Sequence, residues 1–479
     1  MLNINNKYYI FFLGLFFIVL SHFPFLQFDF LYTDDYLYLF PKVGDASNYS
    51  TFKDIELFWN EFHYLGRPLG GNLILIQHLF IENIQIAKFF GFLSLILISV
   101  IFYIFFLFFI EKDISKKDSF LISFSIISLP TFNLTISWLT LQQSLFSIIF
   151  SILSFLIIKN INKVNSFRNL PKICLSILLL TFSIMFYQIT SMFFFILYFL
   201  EIFFIYKKNK FKINFDGTII ILPIIIFFTT LFVCFVLQKV YYNSTGSIEI
   251  NQLKKFYWFC KDIIPLSISF FYPNKSFILT VIFFIFIYSS IFKAISFKYK
   301  KKIFYKSFLI LLFIIFYSYF LILPLIIADG YYTSSFRIII VIYIFFLIIF
   351  IFSFKFSFNK KIVNYFLAII FLLSFFTNYY HSYRYLAGPQ SKEFSNMKSI
   401  LKEKLNSDIK YIHILRPNWW SGNIPLKIFS GSDYGIYSSS VTSSIKSFIY
   451  LSLKEIELNP KNFIVSSSVK NPVSEGDGN

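Results

Sequence analysis

ICLSILLLTFSIMFYQITSMFFFILYFLEIFFIY, residues 173–206, is an apolar run of over thirty residues. A helix that crosses a bilayer needs about 20 apolar residues. A run this long exceeds what one ordinary tilted helix absorbs. Two helices are therefore expected, 173–188 and 189–206, meeting at Tyr187-Gln188, where Gln188 is the strongly polar side chain in mid-run. The same rule applied outward predicts about eleven spans, near 8–26, 85–110, 119–138, 140–158, 173–188, 189–206, 217–238, 276–294, 307–328, 337–354 and 361–378.

Composition agrees with that reading. The chain is 57% hydrophobic and only 14% charged, which excludes an ordinary soluble protein of this size. The fold class expected is an all-α polytopic membrane protein. A net charge of +19 raises the question of nucleic acid. The basic residues instead sit in short loops between apolar runs, as cytoplasmic membrane loops require. Lys112, Lys116 and Lys117 fill one such loop. Lys159, Lys163, Arg168 and Lys172 fill the next, and Lys207, Lys208, Lys210 and Lys212 the third. Lys293 to Lys306 and Lys355 to Lys361 complete the set. The partner implied is a lipid bilayer, with no nucleic acid. Lys7 precedes the first apolar run, and no A-x-A-like cleavage site follows it, so this run is expected to be a retained span.

The first outside loop, 27–84, is net acidic, and all five Trp residues (Trp59, Trp138, Trp258, Trp419, Trp420) fall in outside segments or at their edges. Trp favours membrane interfaces and binding surfaces. Beyond residue 378 the pattern changes. Residues 390–406 read as an amphipathic helix, KYIHIL (410–415) as a strand, and FIYLSL (448–453) and FIVSS (463–467) as further strands. Three parts are expected: a membrane domain over 1–378, a small extracytoplasmic α/β domain over 379–467, and a disordered tail over 468–479.

Candidate chemistry concentrates in the first outside loop. Asp34-Asp35 lie just outside the first span. A carboxylate there must face water or be held by partners, since hydrocarbon excludes it. One of the pair can take a proton from an attacking hydroxyl as general base. Adjacent side chains diverge, so the other can orient or hold a partner. The alternative is a solvated loop start that helps to set topology. Arg67 lies in Gly66-Arg67-Pro68-Leu69. Arg suits bidentate phosphate binding, Pro68 can open a helix, and Gly66, Gly70 and Gly71 permit close backbone approach. Arg337 opens a later span after the polar stretch Thr333-Ser334-Ser335. For both arginines the alternative is a simple surface or helix-end cation. Gln188 sits at an outside turn or lines a cavity, and Trp59 and His63 are further binding candidates. Cys174, Cys234 and Cys260 show no metal-ligand spacing. No metal and no cofactor are expected.

An acidic pair after the first span, then a Trp, then Gly66-Arg67-Pro68-Leu69 entering the next apolar stretch, resembles the bacterial and phage membrane glucosyltransferases that modify O-antigen, the serotype-converting glucosyl transferase II family. SWLTLQQSLFSIIFSILSF (137–155), Tyr187-Gln188, Ser334-Ser335-Phe336-Arg337 and the tail opening NYYHSYRYLAGPQ fit in the same order. The resemblance implies a GT-C-like fold in the bacterial inner (cytoplasmic) membrane, with active site and C-terminus facing the periplasm or exterior. It implies a polyprenyl-phosphate sugar donor and a lipid-linked oligosaccharide or polysaccharide acceptor such as lipopolysaccharide O-antigen. Asp34 or Asp35 would be the base, and Arg67 and Arg337 would hold the lipid phosphate. Asp35 is followed by Tyr36-Leu37-Tyr38 where that family often carries an Arg, which leaves sugar and acceptor open. Two other readings stand beside it: a transporter or flippase for lipid-linked polysaccharide units, and an O-antigen polymerase or ligase.

Overall fold

The computed structural model describes residues 5–31, 35, 67–81, 83–109, 116–129, 132–133, 139–159, 169–208, 217–242, 251–271, 275–296, 303–327, 336–405, 409–416 and 445–469. They are mostly helical. In chain order the helices are α1 (Asn5–Ser21), α2 (Phe23–Gln27), α3 (Pro68–Phe80), α4 (Ile84–Phe109) and α5 (Lys116–Ile127). A 3-10 turn, Leu139–Leu141, leads into α6 (Gln143–Lys159), followed by α7 (Leu170–Phe186), the short α8 (Gln188–Ser191) and α9 (Phe193–Lys208). Then come α10 (Gly217–Tyr242), α11 (Gln252–Trp258), a π turn at Phe259–Ile263 and α12 (Ile264–Ile268). They are followed by α13 (Phe277–Ser296), α14 (Ile303–Phe320), α15 (Leu323–Ile327), α16 (Phe336–Ser357) and α17 (Lys360–His381). A π turn at Ser382–Ala387 joins α17 to α18 (Gly388–Lys404), and β1 (Tyr411–Arg416), α19 (Ile445–Glu455) and β2 (Ile464–Val469) close the chain.

At the centre is α16. Every residue from Ile339 to Leu347 has 0% exposure, as expected of a helix that is apolar on all sides. α13, α12, α9, α8 and α17 pack around it. The surrounding helices have two unlike faces. On α17, Val363, Leu367, Ile370, Phe371, Ser374 and Asn378 are buried, while Tyr365, Ile369 and Phe376 point outward at 62%, 54% and 63% exposure. Helices α10, α13 and α14 likewise turn large apolar side chains outward. Among the described residues, Ile84–Ile104 and Lys360–Lys404 are long and apolar enough to cross a membrane. Eight shorter apolar helices of 10–17 residues accompany them. The described residues are thus of the all-α class, with a small two-stranded sheet.

The long run breaks where expected. α7 ends at Phe186 and α8 begins at Gln188, with Tyr187 extended between them at φ −160° and ψ 108°. Serines pin this break. Ser144, Ser147, Ser151 and Ser154 recur every three or four residues along α6 and are all buried, which lets α6 and α7 approach closely. Ser183 Oγ donates to the Ser147 carbonyl at 2.7 Å. Ser147 Oγ donates to the Tyr187 carbonyl at 2.9 Å, and Ser151 Oγ to the Ser191 carbonyl at 3.0 Å. The Ser147 and Ser151 hydroxyls thus add bonds to carbonyls at the interrupted helix, where backbone groups are expensive to leave unsatisfied, and Ser183 ties α7 to α6.

Two expectations are corrected. The span placed at 119–138 stops at Ile127. Pro130 follows two residues beyond the turn at Ser128, and the residue before a proline is disfavoured in the helical region. FIYLSL is helix α19, not a strand. Every residue from Ser447 to Leu453 is buried, and a short run buried on all sides does not separate the two states by pattern alone. The other strands form: β1 and β2 pair in parallel, with Tyr411 opposite Ile464 and His413 opposite Ser466. Parallel strands need a crossover, and α19 lies between them in sequence and packs on β2. β2 runs to Val469, two residues past the expected end of the domain at 467; residues 470–479 lie outside the described residues.

This C-terminal unit does not close a core alone. Phe394, Leu401, Ile412, Ile445, Phe448, Ile449 and Val465 form one cluster with Leu31, Ile81, Ile84, Ala87 and Leu139. The helix–sheet unit is therefore seated on the start of α4 and the 3-10 turn.

Replacing Ser183 with Leu should overpack the α6–α7 seam and cost about 1–3 kcal/mol. Thermal unfolding of purified protein in detergent would register this as a lowered midpoint, with Ser183→Ala falling much less. Equal midpoints for wild type and Ser183→Leu would refute tight packing at this seam.

Candidate functional site

The site is built along α3. Pro68 occupies the first helical position, where its missing N–H is no loss and its φ is preset. The Gly71 N–H donates to the Arg67 carbonyl at 3.0 Å and closes the first turn. Gly70, Gly71, Ile74, Gln77 and His78 form the buried face of α3, which rests on α6 and α7. The contact is close at Gly70. A Cβ there would stand 1.9 Å from Gln143 Oε1 and 2.9 Å from the Phe186 carbonyl oxygen. The close approach expected of these glycines is thus real at Gly70, and it sets the first turn of α3 against the break at Tyr187.

Arg67 and Gln188, 121 positions apart in sequence, meet there. Arg67 Nε donates to Gln188 Oε1 at 3.1 Å. The guanidinium carbon lies 4.3 Å from the centroid of the Tyr187 ring, a cation–π arrangement. Arg67 is half-buried, and no acid forms an ion pair with it among the described residues. One face and one edge of the guanidinium are thereby fixed. Its remaining N–H groups make a planar donor set of the kind that matches phosphate or carboxylate.

Asp35 is fully buried, at 0% exposure. Its carboxylate Oδ2 accepts from the Leu139 N–H at 3.0 Å, at the first residue of the 3-10 turn. A buried carboxylate requires such partners. Gln142, one turn on, donates its N–H to the Leu139 carbonyl at 3.0 Å. Its side-chain Oε1 accepts from Gln77 Nε2 at 2.6 Å. The series Asp35, Leu139, Gln142, Gln77 therefore reaches α3 near its C-terminal end. At about 1.5 Å per residue, Gln77 lies about 15 Å along α3 from Arg67. Asp35 and Arg67 are not brought into direct contact; α3 and the two glutamines lie between them.

A cavity opens beside Leu139, lined by His22, Phe30, Leu31, Lys88 and Leu95 among others. Lys88 is tied down at its rim, donating to Asp29 Oδ1 at 2.6 Å and to the Leu26 carbonyl at 3.2 Å. Asp34, Trp59 and His63 lie outside the described residues. Arg337 takes the second position of α16, and its side chain lies outside what is described. No cluster of three or more His, Cys, Asp or Glu that could hold a metal occurs among the described residues. Partial burial pushes the Cys260 thiol pKa up, which keeps it protonated rather than a thiolate nucleophile near neutral pH.

Sequence reasoning missed Tyr187 as the stacking partner of Arg67. It also missed Gln77, Gln142 and Gln143 as the polar face of the α3–α6 contact. The available signal was polar side chains inside apolar stretches, which are costly unless they face protein or a cavity.

Gly70→Ala should force α3 away from the Phe186 carbonyl, which belongs to the backbone and cannot swing aside. A loss of about 1–3 kcal/mol is expected, read as a lowered thermal midpoint in detergent. An unchanged midpoint would mean that the close approach is not needed. No family model, curated protein or solved structure matches this chain.

Proposed function

We propose that the protein is a polytopic membrane glycosyltransferase of GT-C type, moving a hexose, with glucose the first choice, from a polyprenyl-phosphate donor to a lipid-linked polysaccharide on the extracytoplasmic face. The observation that carries this reading is Arg67. It is an arginine stacked on Tyr187, held by Gln188 and without an ion-pair partner among the described residues, with its outer N–H groups left to an anion. A phosphate ester fits that donor set. The outward apolar faces of α10, α13, α14 and α17 support a lipid surrounding and the larger number of spans. The seating of the C-terminal unit beside Leu139 supports a part for it in acceptor recognition.

In the reaction, an acceptor hydroxyl attacks the anomeric carbon and the bond from that carbon to the phosphate oxygen breaks. The hydroxyl proton passes to a carboxylate, and polyprenyl phosphate leaves with its charge stabilised by Arg67, assisted by Arg337. The two acids divide the work. Asp35, buried and engaged with the Leu139 N–H, positions the 3-10 turn, and Asp34 is the base.

Membranes carrying wild type or variants would be given radiolabelled polyprenyl-phosphate-glucose and cell-envelope glycolipid. Asp34→Asn should lower transfer about 10²–10⁴-fold, the usual worth of a general base. Asp35→Asn keeps an oxygen acceptor for the Leu139 N–H and should lower transfer far less than Asp35→Ala. Arg67→Lys, which cannot reproduce the planar donor set, should lower it about 10²-fold at equal protein level, the scale of one lost oxyanion donor. A wild type that transfers no sugar from any polyprenyl-phosphate donor would overturn the reading and favour the transporter or polymerase.

A further inference from the structure

We infer that the amide pair Gln77–Gln142 binds a neutral hydroxyl-bearing group, the sugar of the donor lipid, between the phosphate at Arg67 and the carboxylate of Asp35. The inference rests on the function proposed above. Both side chains are almost fully enclosed, at 2% and 1% exposure. Gln77 Nε2 donates to Gln142 Oε1 at 2.6 Å. Gln77 Oε1 and Gln142 Nε2 then have no hydrogen-bond partner among the described residues. Buried amide groups left this way are costly, and a ligand or an ordered water must complete them. Which amide atom is oxygen and which nitrogen is an assignment. Either assignment leaves one carbonyl oxygen and one N–H₂, an acceptor next to a donor. That is the complement of hydroxyl groups, which both donate and accept. It matches neither a cation nor an anion.

Position makes the same argument. On α3, Arg67, Gly70, Ile74 and Gln77 follow one another at three- and four-residue steps, so they share one face. Gly70 and Gln77 are about 10 Å apart along the axis, and helical side chains lean toward their own N-terminus. The Gln77 amide is thereby carried back toward the arginine end. On the other side, Gln142 belongs to the turn whose first N–H is held by Asp35. The Arg67 guanidinium, the amide pair and the Asp35 carboxylate thus follow in that order along α3 and the hydrogen-bonded series. A displacement at an anomeric carbon needs that order, with the leaving phosphate on one side of the sugar and the acceptor hydroxyl with its base on the other.

The test is binding rather than turnover. Purified full-length protein in detergent would be titrated with polyprenyl-phosphate-glucose and with bare polyprenyl phosphate, as wild type and as Gln77→Met and Gln142→Met. Wild type should prefer the sugar-bearing lipid by about tenfold or more, the scale of one or two hydrogen bonds. Each variant should lose most of that preference while holding bare polyprenyl phosphate within about twofold, the retained affinity showing that it is folded. In wild type alone, donor lipids lacking single hydroxyls would be compared, and at least one should bind about tenfold more weakly. Equal binding of the two lipids by wild type would overturn the inference and leave the enzyme reading standing. So would full preference in both variants, or equal binding of every deoxy donor. Binding of neither lipid by wild type would overturn the enzyme reading, and the inference with it.

Discussion

The hydroxyl of Ser147 donates to the carbonyl of Tyr187, which also accepts from the Ser191 N–H, and these bonds anchor the break against which the candidate site is built. An apolar chain can be interrupted in apolar surroundings only if the freed backbone groups find partners. At this break the Tyr187 carbonyl accepts from the Ser191 N–H and the Ser147 hydroxyl, and the Ser191 carbonyl from the Ser151 hydroxyl, while Ser183 ties α7 to the Ser147 carbonyl of α6. With the break secured, the Tyr187 ring and the Gln188 amide are presented together, and Arg67 has something to lie on.

Helix α3 works as a ruler laid against that seam. Its glycine at 70 sets the depth, since any larger residue meets the Phe186 carbonyl. Its arginine marks one end, and Gln77, paired with Gln142, marks a point near the other. The carboxylate of Asp35 reaches the same assembly through the Leu139 N–H. The core beneath the C-terminal helix–sheet unit includes Leu139 as well. Three distant parts of the chain therefore converge on one 3-10 turn.

The polar side chains missed at first share a physical cause. Gln77, Gln142, Gln143 and the α6 serines lie in stretches whose average is apolar, and hydropathy averaging hides them. Their meaning comes from the neighbour each one faces. FIYLSL was misread for a related reason: a six-residue buried run is compatible with either regular structure until its partners are known. The shortened α5 had a local cause in Pro130 that the hydropathy count ignored.

By itself the sequence determined the helical class, the helix opened by Pro68, the break at Tyr187-Gln188 and the two strands of the small sheet. Each follows from local chemistry: apolar run length, a fixed proline φ, a polar residue in mid-run, alternation over six residues. Only the tertiary structure decided that Arg67 rests on Tyr187 and Gln188, that Asp35 is engaged with a backbone N–H, and that Gln77 meets Gln142. Those pairings join residues 121, 104 and 65 positions apart. Such distances are closed by packing between helices, and one chain's local pattern does not encode which faces will meet.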